Sequence, residues 1–111
     1  MVYGGGYIGV EICDELLRLG EKVTIIGRSK RLMPSSFDAE TSFKIKEVIE
    51  NLGGRVILDS KIRQIIGLDA VTGIKLSSDE IIDCDFLMIC VGSRPNVETA
   101  ERLGIIYDRD R

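Results

Sequence analysis

The chain has no histidine and no tryptophan, only two prolines and three cysteines, and no apolar run near the roughly twenty residues that a membrane span needs. Without histidine the commonest neutral metal ligand and near-neutral general base are missing. Cys13, Cys84 and Cys90 are widely spaced and odd in number, which speaks against a zinc site, a disulfide framework and a C-x-x-C redox centre. Each lies among apolar neighbours and is expected to be a small buried hydrophobe. Charge of one sign is also lacking: 15 basic against 18 acidic residues give a net charge of −3, with no general attraction for nucleic acid or anionic lipid. No basic-then-apolar leader precedes the first glycines, so a cytoplasmic protein is expected. The 111 residues, 44% of them apolar, suffice for one domain with one modest core.

What the chain does have is glycine, placed early. Gly4-Gly5-Gly6-Tyr7-Ile8-Gly9 is a G-x-G-x-x-G run between a strand signal, Met1-Val2-Tyr3, and a helix signal that continues through Arg18. Glycine lets the chain turn sharply out of a strand, a missing side chain lets backbone approach phosphate, and a helix N-terminus offers free N–H groups with partial positive charge. The pyrophosphate of a dinucleotide is expected here. A central parallel strand usually has about five or six residues. Only three residues precede the first glycine, so residues 1–111 are expected to be one domain excised from a longer enzyme.

The rest of the chain extends an α/β pattern. Ile8, Ile12, Leu16 and Leu19 recur at helical spacing, with Val10, Cys13 and Leu17 beside them, and Gly20 is placed to end the helix. Lys22 to Ile26 reads as a strand buried on both faces and Arg28 to Ser36 as a loop. Asp38 is an N-cap for a second helix with an Ile45, Val48, Ile49, Leu52 stripe, which Gly53-Gly54 stops before a third strand, Arg55 to Leu58. Lys61 to Leu68, Gly73 to Leu76 and Glu80 to Ile82 are short strand-like pieces whose separations suit hairpin turns. The expected fold is therefore a Rossmann-like parallel sheet with helices, its second crossover replaced by an antiparallel three-stranded meander. Phe86 to Val91 should return as a buried strand, followed by a short helix from Val97 to Leu103 and a charged end, Asp108 to Arg111.

The second strand should end in an acid that binds the adenosine ribose, about twenty residues after the glycines. Gly27 stands there instead, and Arg28, Lys30 and Arg31 follow. A guanidinium beside the 2′ position suits a phosphate better than a hydroxyl, because bidentate charge-assisted bonds call for a dianionic partner. The pattern favours NADP(H); NAD(H) would need another acceptor such as Ser29 or backbone, and a solvated basic loop is the plain alternative. Gly92, in Val91-Gly92-Ser93-Arg94-Pro95-Asn96, follows the last strand at the sheet edge where ligands of such folds lie, though it also serves as a turn residue.

These motifs together resemble the central pyridine-nucleotide domain of the FAD-dependent pyridine nucleotide-disulfide oxidoreductases. The resemblance is carried by Gly4 through Glu11, Val23-Thr24-Ile25-Ile26, Arg31-Leu32-Met33-Pro34 with Phe37-Asp38, and Val91-Gly92 with Arg94-Pro95-Asn96. It implies that Gly4, Gly6 and Gly9 shape the pyrophosphate turn, with the Ile8 backbone near the nicotinamide half and Gly92 against the nicotinamide ribose. It also implies Tyr7 as a gate over the nicotinamide pocket and Glu11 as the partner of a lysine on the FAD domain. Ile62 matches a position that packs on adenine, with ordinary core packing as the alternative. The implied parent is a homodimer that passes hydride from NAD(P)H to FAD and on to a disulfide, oxygen or a redox protein. This chain carries neither the FAD domain nor a redox cysteine pair, so it should bind nucleotide without turnover and without a catalytic residue or metal of its own. A regulatory nucleotide-sensing module of a transporter is the alternative, which an uninterrupted βα repeat from Leu58 to Phe86 would favour. A methyltransferase fits less well, since its glycine loop is spaced differently.

Overall fold

A computed structural model describes residues 1–108; the remainder of the expected charged end, 109–111, lies outside the described residues. The elements run β1 (Val2–Tyr3), α1 (Tyr7–Arg18), β2 (Thr24–Ile26), α2 (Ala39–Asn51), β3 (Arg55–Ile57), β4 (Ile62–Ile66), β5 (Gly73–Leu76), β6 (Ile81–Asp83), β7 (Met88–Ile89) and α3 (Glu98–Arg102). Four strands form a parallel sheet in the order β3-β2-β1-β7, and β4-β5-β6 form a separate antiparallel sheet. The α/β architecture with a meander is thus the one the residues foretell. Residues 58 to 86 contain the meander where a βα repeat would have a helix.

Alternation along the short strands separates two apolar layers. Val2, Ile25 and Val56 share one register and pack with Cys13, Leu17 and Ile49 of the helices. Tyr3, Ile26 and Ile57 share the next register and face Ile74, Leu76 and Cys84 of the meander. The parallel sheet is therefore the middle of three layers, which is why β2 reads as apolar at successive positions. Ile25 and Ile26 are fully buried, and each contributes on the order of 2 kcal/mol. Arg55 of β3 reaches across to Glu80 at 2.9 Å, an exposed ion pair that ties the parallel sheet to the turn before β6.

Both long helices end in the same way. At α1 the Gly20 N–H donates to the Leu17 carbonyl and the Glu21 N–H to the Leu16 carbonyl, with Gly20 in the left-handed region at φ 83°. This pairing satisfies carbonyls that the helix leaves open and turns the chain back towards β2. Asp38 caps α2, its Oδ1 accepting from the Thr41 N–H at 2.8 Å, and Glu40 stands in the first turn.

Three expectations need correction. The buried face of α1 is centred on Gly9, Cys13 and Leu17, with Ile12 and Leu16 half-buried beside it, while Ile8 and Leu19 are exposed. On α2 Ile49 is buried, but Val48 and Leu52 are largely exposed. The run from Phe86 to Val91 supplies only the two-residue β7, which pairs with β1 at the sheet edge; Phe86, Ile89 and Val91 are more than half exposed. An apolar run predicts burial only where something covers it, and β7 has a strand on one side. Among the described residues no helix is long and apolar enough to cross a membrane.

Candidate functional site

The carboxyl ends of β1, β2 and β7 open onto one cleft of about 710 Å³. Three backbone bonds align them: the Gly4 N–H donates to Ile26 O at 2.8 Å, Gly27 N–H to Ile57 O at 2.8 Å, and Cys90 N–H to Tyr3 O at 2.7 Å. The cleft wall contains the turn Gly4-Gly5-Gly6, the first helical residues Tyr7 and Ile8, the loop residues Gly27, Arg28 and Arg31, and Gly92 beyond β7.

Each glycine of the turn answers a different demand. Gly4 has φ 133°, and a β-carbon there would stand 2.1 Å from the Cys90 carbonyl oxygen, so the end of β7 excludes any side chain. A β-carbon on Gly9 would fall 1.8 Å from the Gly4 carbonyl oxygen, which shows how tightly α1 is seated on the turn. Gly6 is unlike both: its φ is −88°, which any residue adopts, and nothing lies within 4 Å of where its β-carbon would be. Neither backbone geometry nor protein packing requires glycine at Gly6. The space in front of it opens on the cleft.

Electrostatics point the same way. Gly6 is the N-cap of α1, no side chain caps that end and no acid lies in its first turn, whereas α2 carries both Asp38 and Glu40. The first intrahelical bond runs from the Val10 N–H to the Gly6 carbonyl, so the Tyr7, Ile8 and Gly9 amides precede the ladder and carry the partial positive charge of the helix end. An anion at the cleft mouth would find donors there. These features fit a dinucleotide pyrophosphate: uncapped amides, open space at Gly6, and a basic loop beyond the next strand.

Of the remaining residues singled out by sequence, Glu11 and Ile62 are not in the wall of this cleft. Glu11 is exposed on α1 and borders a second, shallower groove of about 420 Å³ between α1 and α2, together with Val10, Ile45 and Val48. Tyr7, itself largely exposed, lies on the ridge shared by groove and cleft. Ile62 begins β4 and packs with Ile26, Ile74 and Leu76 in the meander-side core.

The structure also adds residues. Cys13 and Cys84 are buried, and burial, reinforced by Asp14, pushes the Cys13 thiol up to about 11. Burial likewise raises Cys84. Cys90 departs from the expectation for all three: it is half-buried and forms part of the cleft wall. Leu32 and Met33 are the buried residues of the basic loop, and the Met33 N–H donates to the Gly5 carbonyl at 2.7 Å. Two adjacent apolar residues inside a polar loop were the available signal for that anchor; the left-handed φ of 48° at Met33 had none.

Comparison with known proteins gives a consistent picture. The sequence model of the family described as pyridine nucleotide-disulphide oxidoreductase matches residues 1–111. The chain is 32% identical over 108 residues to the nitrite reductase [NAD(P)H] of Bacillus subtilis, covering 97% of the chain and 13% of that protein. It superposes on the ferredoxin reductase of Rhodopseudomonas palustris with a TM-score of 0.89 at 28% identity, covering 97% of this chain and 27% of the other. An engineered water-forming NADPH oxidase bound to NADPH superposes with a TM-score of 0.80 at 27% identity, covering 92% and 22%. Its parent, from Lactobacillus brevis, was solved with NADH at a TM-score of 0.81 and 27% identity, covering 91% and 22%. Successive substitutions in the engineered form are Asp to Ala, Ala to Arg and Met to Ser.

Proposed function

Because the chain belongs to the pyridine nucleotide-disulphide oxidoreductase family, matching its model over residues 1–111, we propose that it is the NAD(P)H-binding domain of a longer, FAD-dependent oxidoreductase and that it prefers NADP(H). The parent's proposed reaction is hydride transfer from nicotinamide to flavin, with electrons passing on to a disulfide, oxygen or a redox protein. The parent is proposed to be a homodimer, after the family resemblance, and to work in the cytoplasm. The chain spans less than a third of each relative named above, in keeping with one domain of such an enzyme.

The observation that carries the reading is the open space before Gly6 at an uncapped helix end. There the amides of Tyr7, Ile8 and Gly9 would meet the pyrophosphate, while Gly27, buried with a would-be β-carbon 3.0 Å from Leu58 Cδ2, puts no carboxylate beside the ribose. Arg28 follows, exposed and on the cleft wall, where it would pair with a 2′-phosphate. Gly27-Arg28-Ser29 has the same order of residue types, a non-acid, then Arg, then Ser, as the run introduced into the oxidase that was solved with NADPH. Gly92, with φ 125° and nothing within 4 Å of a would-be β-carbon, would lie along the nicotinamide ribose, and Tyr7 would shield the ring. Bound NADPH supplies the hydride at its nicotinamide ring. The residues of this chain bind and orient it, and flavin must be brought close by the remainder of the enzyme. Glu11 is proposed to meet a lysine there, which its exposure on α1 permits, and Ile62 to serve the core rather than adenine.

Charge reversal tests the coenzyme preference. Arg28→Glu should weaken NADPH binding by at least about tenfold in calorimetry, the value of one charge-assisted pair, and change NADH binding far less. Equal losses for both coenzymes would dismiss the 2′-phosphate role.

A further inference from the structure

We infer that Leu32 and Met33 form a latch that holds the basic loop against the glycine turn, and that this latch, acting through Arg28, sets the choice between NADP(H) and NAD(H). The inference rests on the coenzyme reading above.

Residues 28 to 36 carry three cations and two serines beyond Ser29, a composition that on its own would leave a mobile surface loop. It is instead pinned at both ends. Near its start, the Gly27 carbonyl accepts from the Ser60 N–H at 3.1 Å and the Ser29 carbonyl from the Asp59 N–H at 3.0 Å. Further on, Leu32 is fully buried, and its Cδ2 stands 3.1 Å from where a β-carbon on Gly5 would be. The Met33 N–H donates to the Gly5 carbonyl, and the Met33 carbonyl accepts from Ser36 and Phe37 at 3.0 and 3.1 Å. Met33 also holds φ 48°, a conformation unfavourable for a side chain of its kind, which this bonding and burial maintain.

Arg28 stands within the first anchor, between Gly27 and Ser29, and Lys30 and Arg31 stand between the two anchors, so the second anchor fixes the far end of the segment that carries all three cations. Arg31 is turned to its own loop, donating to the Pro34 carbonyl at 3.2 Å. Arg28 has no ion pair among the described residues and is exposed on the cleft wall. A guanidinium on a fixed backbone loses less freedom on binding a phosphate than one on a loose loop. The turn that would hold the pyrophosphate has its own supports, the Gly4 N–H on Ile26 O and the Val10 N–H on Gly6 O. Loosening the latch should therefore penalise the coenzyme that bears a 2′-phosphate and largely spare the one that lacks it. Leu32 and Met33 are in this sense positioning residues.

The experiment measures NADPH and NADH dissociation constants of the full chain by calorimetry for the wild type, Leu32→Ala, Leu32→Met and Met33→Gly. Leu32→Ala should weaken NADPH about tenfold with NADH changed less than about twofold, and the volume-conserving Leu32→Met should restore the wild-type ratio. Met33→Gly keeps the amide donor and tolerates the left-handed φ but frees the loop, so it should shift the ratio in the same direction, and it carries the comparison if Leu32→Ala does not fold. Folded variants that keep the wild-type preference would overturn the latch, as would equal loss for both coenzymes. A wild type without preference would first overturn the 2′-phosphate reading, and the latch with it.

Discussion

A single added carbon separates the two kinds of glycine in the opening turn. Gly6→Val puts its side chain into the open space at the cleft, where no protein atom lies within 4 Å of the first carbon. Thermal unfolding should change by no more than a few degrees, while NADPH binding falls below detection in calorimetry; retained binding would show that phosphate does not approach there. Gly4→Ala should do the opposite. Its β-carbon would meet the Cys90 carbonyl oxygen at 2.1 Å from a backbone with φ 133°. That should cost about 3 kcal/mol or more of stability, seen as a drop of roughly 10 °C or more in Tm. The cysteines provide a third test at this scale. Cys13 and Cys84 are buried and Cys90 is on the cleft wall, so alkylation of the native chain followed by mass spectrometry should label Cys90 first, and saturating NADPH should slow that labelling. Labelling of Cys90 at an unchanged rate would argue that nucleotide binds elsewhere.

Among the elements, α1 and α2 differ in how their N-termini are satisfied, and the difference has a pH signature. The Thr41 amide, then the Thr41 hydroxyl, and to a smaller degree Arg31, hold the Asp38 carboxyl below its ordinary value of 3.8. A depressed folded-state value means that the ionised cap stabilises fully above the unfolded value and that this stabilisation is lost as the pH falls through the lower folded value. Asp38→Asn keeps an acceptor at the cap without the titration. Its Tm should lie below that of the wild type at pH 7, and the gap should close as the pH drops below about 4; a gap independent of pH would assign the effect to packing. Much of this level was legible in residue order. Asp38, Gly20 and Gly53-Gly54 marked helix ends because caps are local chemistry, and Asp69-Ala70-Val71-Thr72 and Ser77-Ser78-Asp79 marked hairpins for the same reason. What could not be read was set by neighbours: the close seating of α1 on the turn at Gly9, and the exposure of Phe86, Ile89 and Val91, whose composition announces burial but whose strand has a partner on one side only. Likewise Arg28 was legible as a phosphate-binding candidate from its place after β2, whereas the buried Leu32 and Met33 that seat its loop depend on a hydrogen bond to a residue 28 positions earlier in sequence.

Taken as a whole, the molecule is a three-layer scaffold whose strand ends and loops converge on one side. Helices and meander bury the two faces of the parallel sheet, which leaves the carboxyl ends of its strands as the place where turn, basic loop and Gly92 meet. Without flavin the isolated chain should bind NADPH but not oxidise it with an artificial acceptor; measurable turnover would contradict its role as one domain of a larger enzyme. Whether amides at the start of α1 hold the coenzyme's phosphates can be observed by titrating the 15N-labelled chain with NADPH and following backbone amide resonances. Gly6, Tyr7, Ile8 and Gly9 should shift most, together with Arg28 and Gly92. Shifts confined to the groove between α1 and α2, or to the meander, would contradict that binding mode.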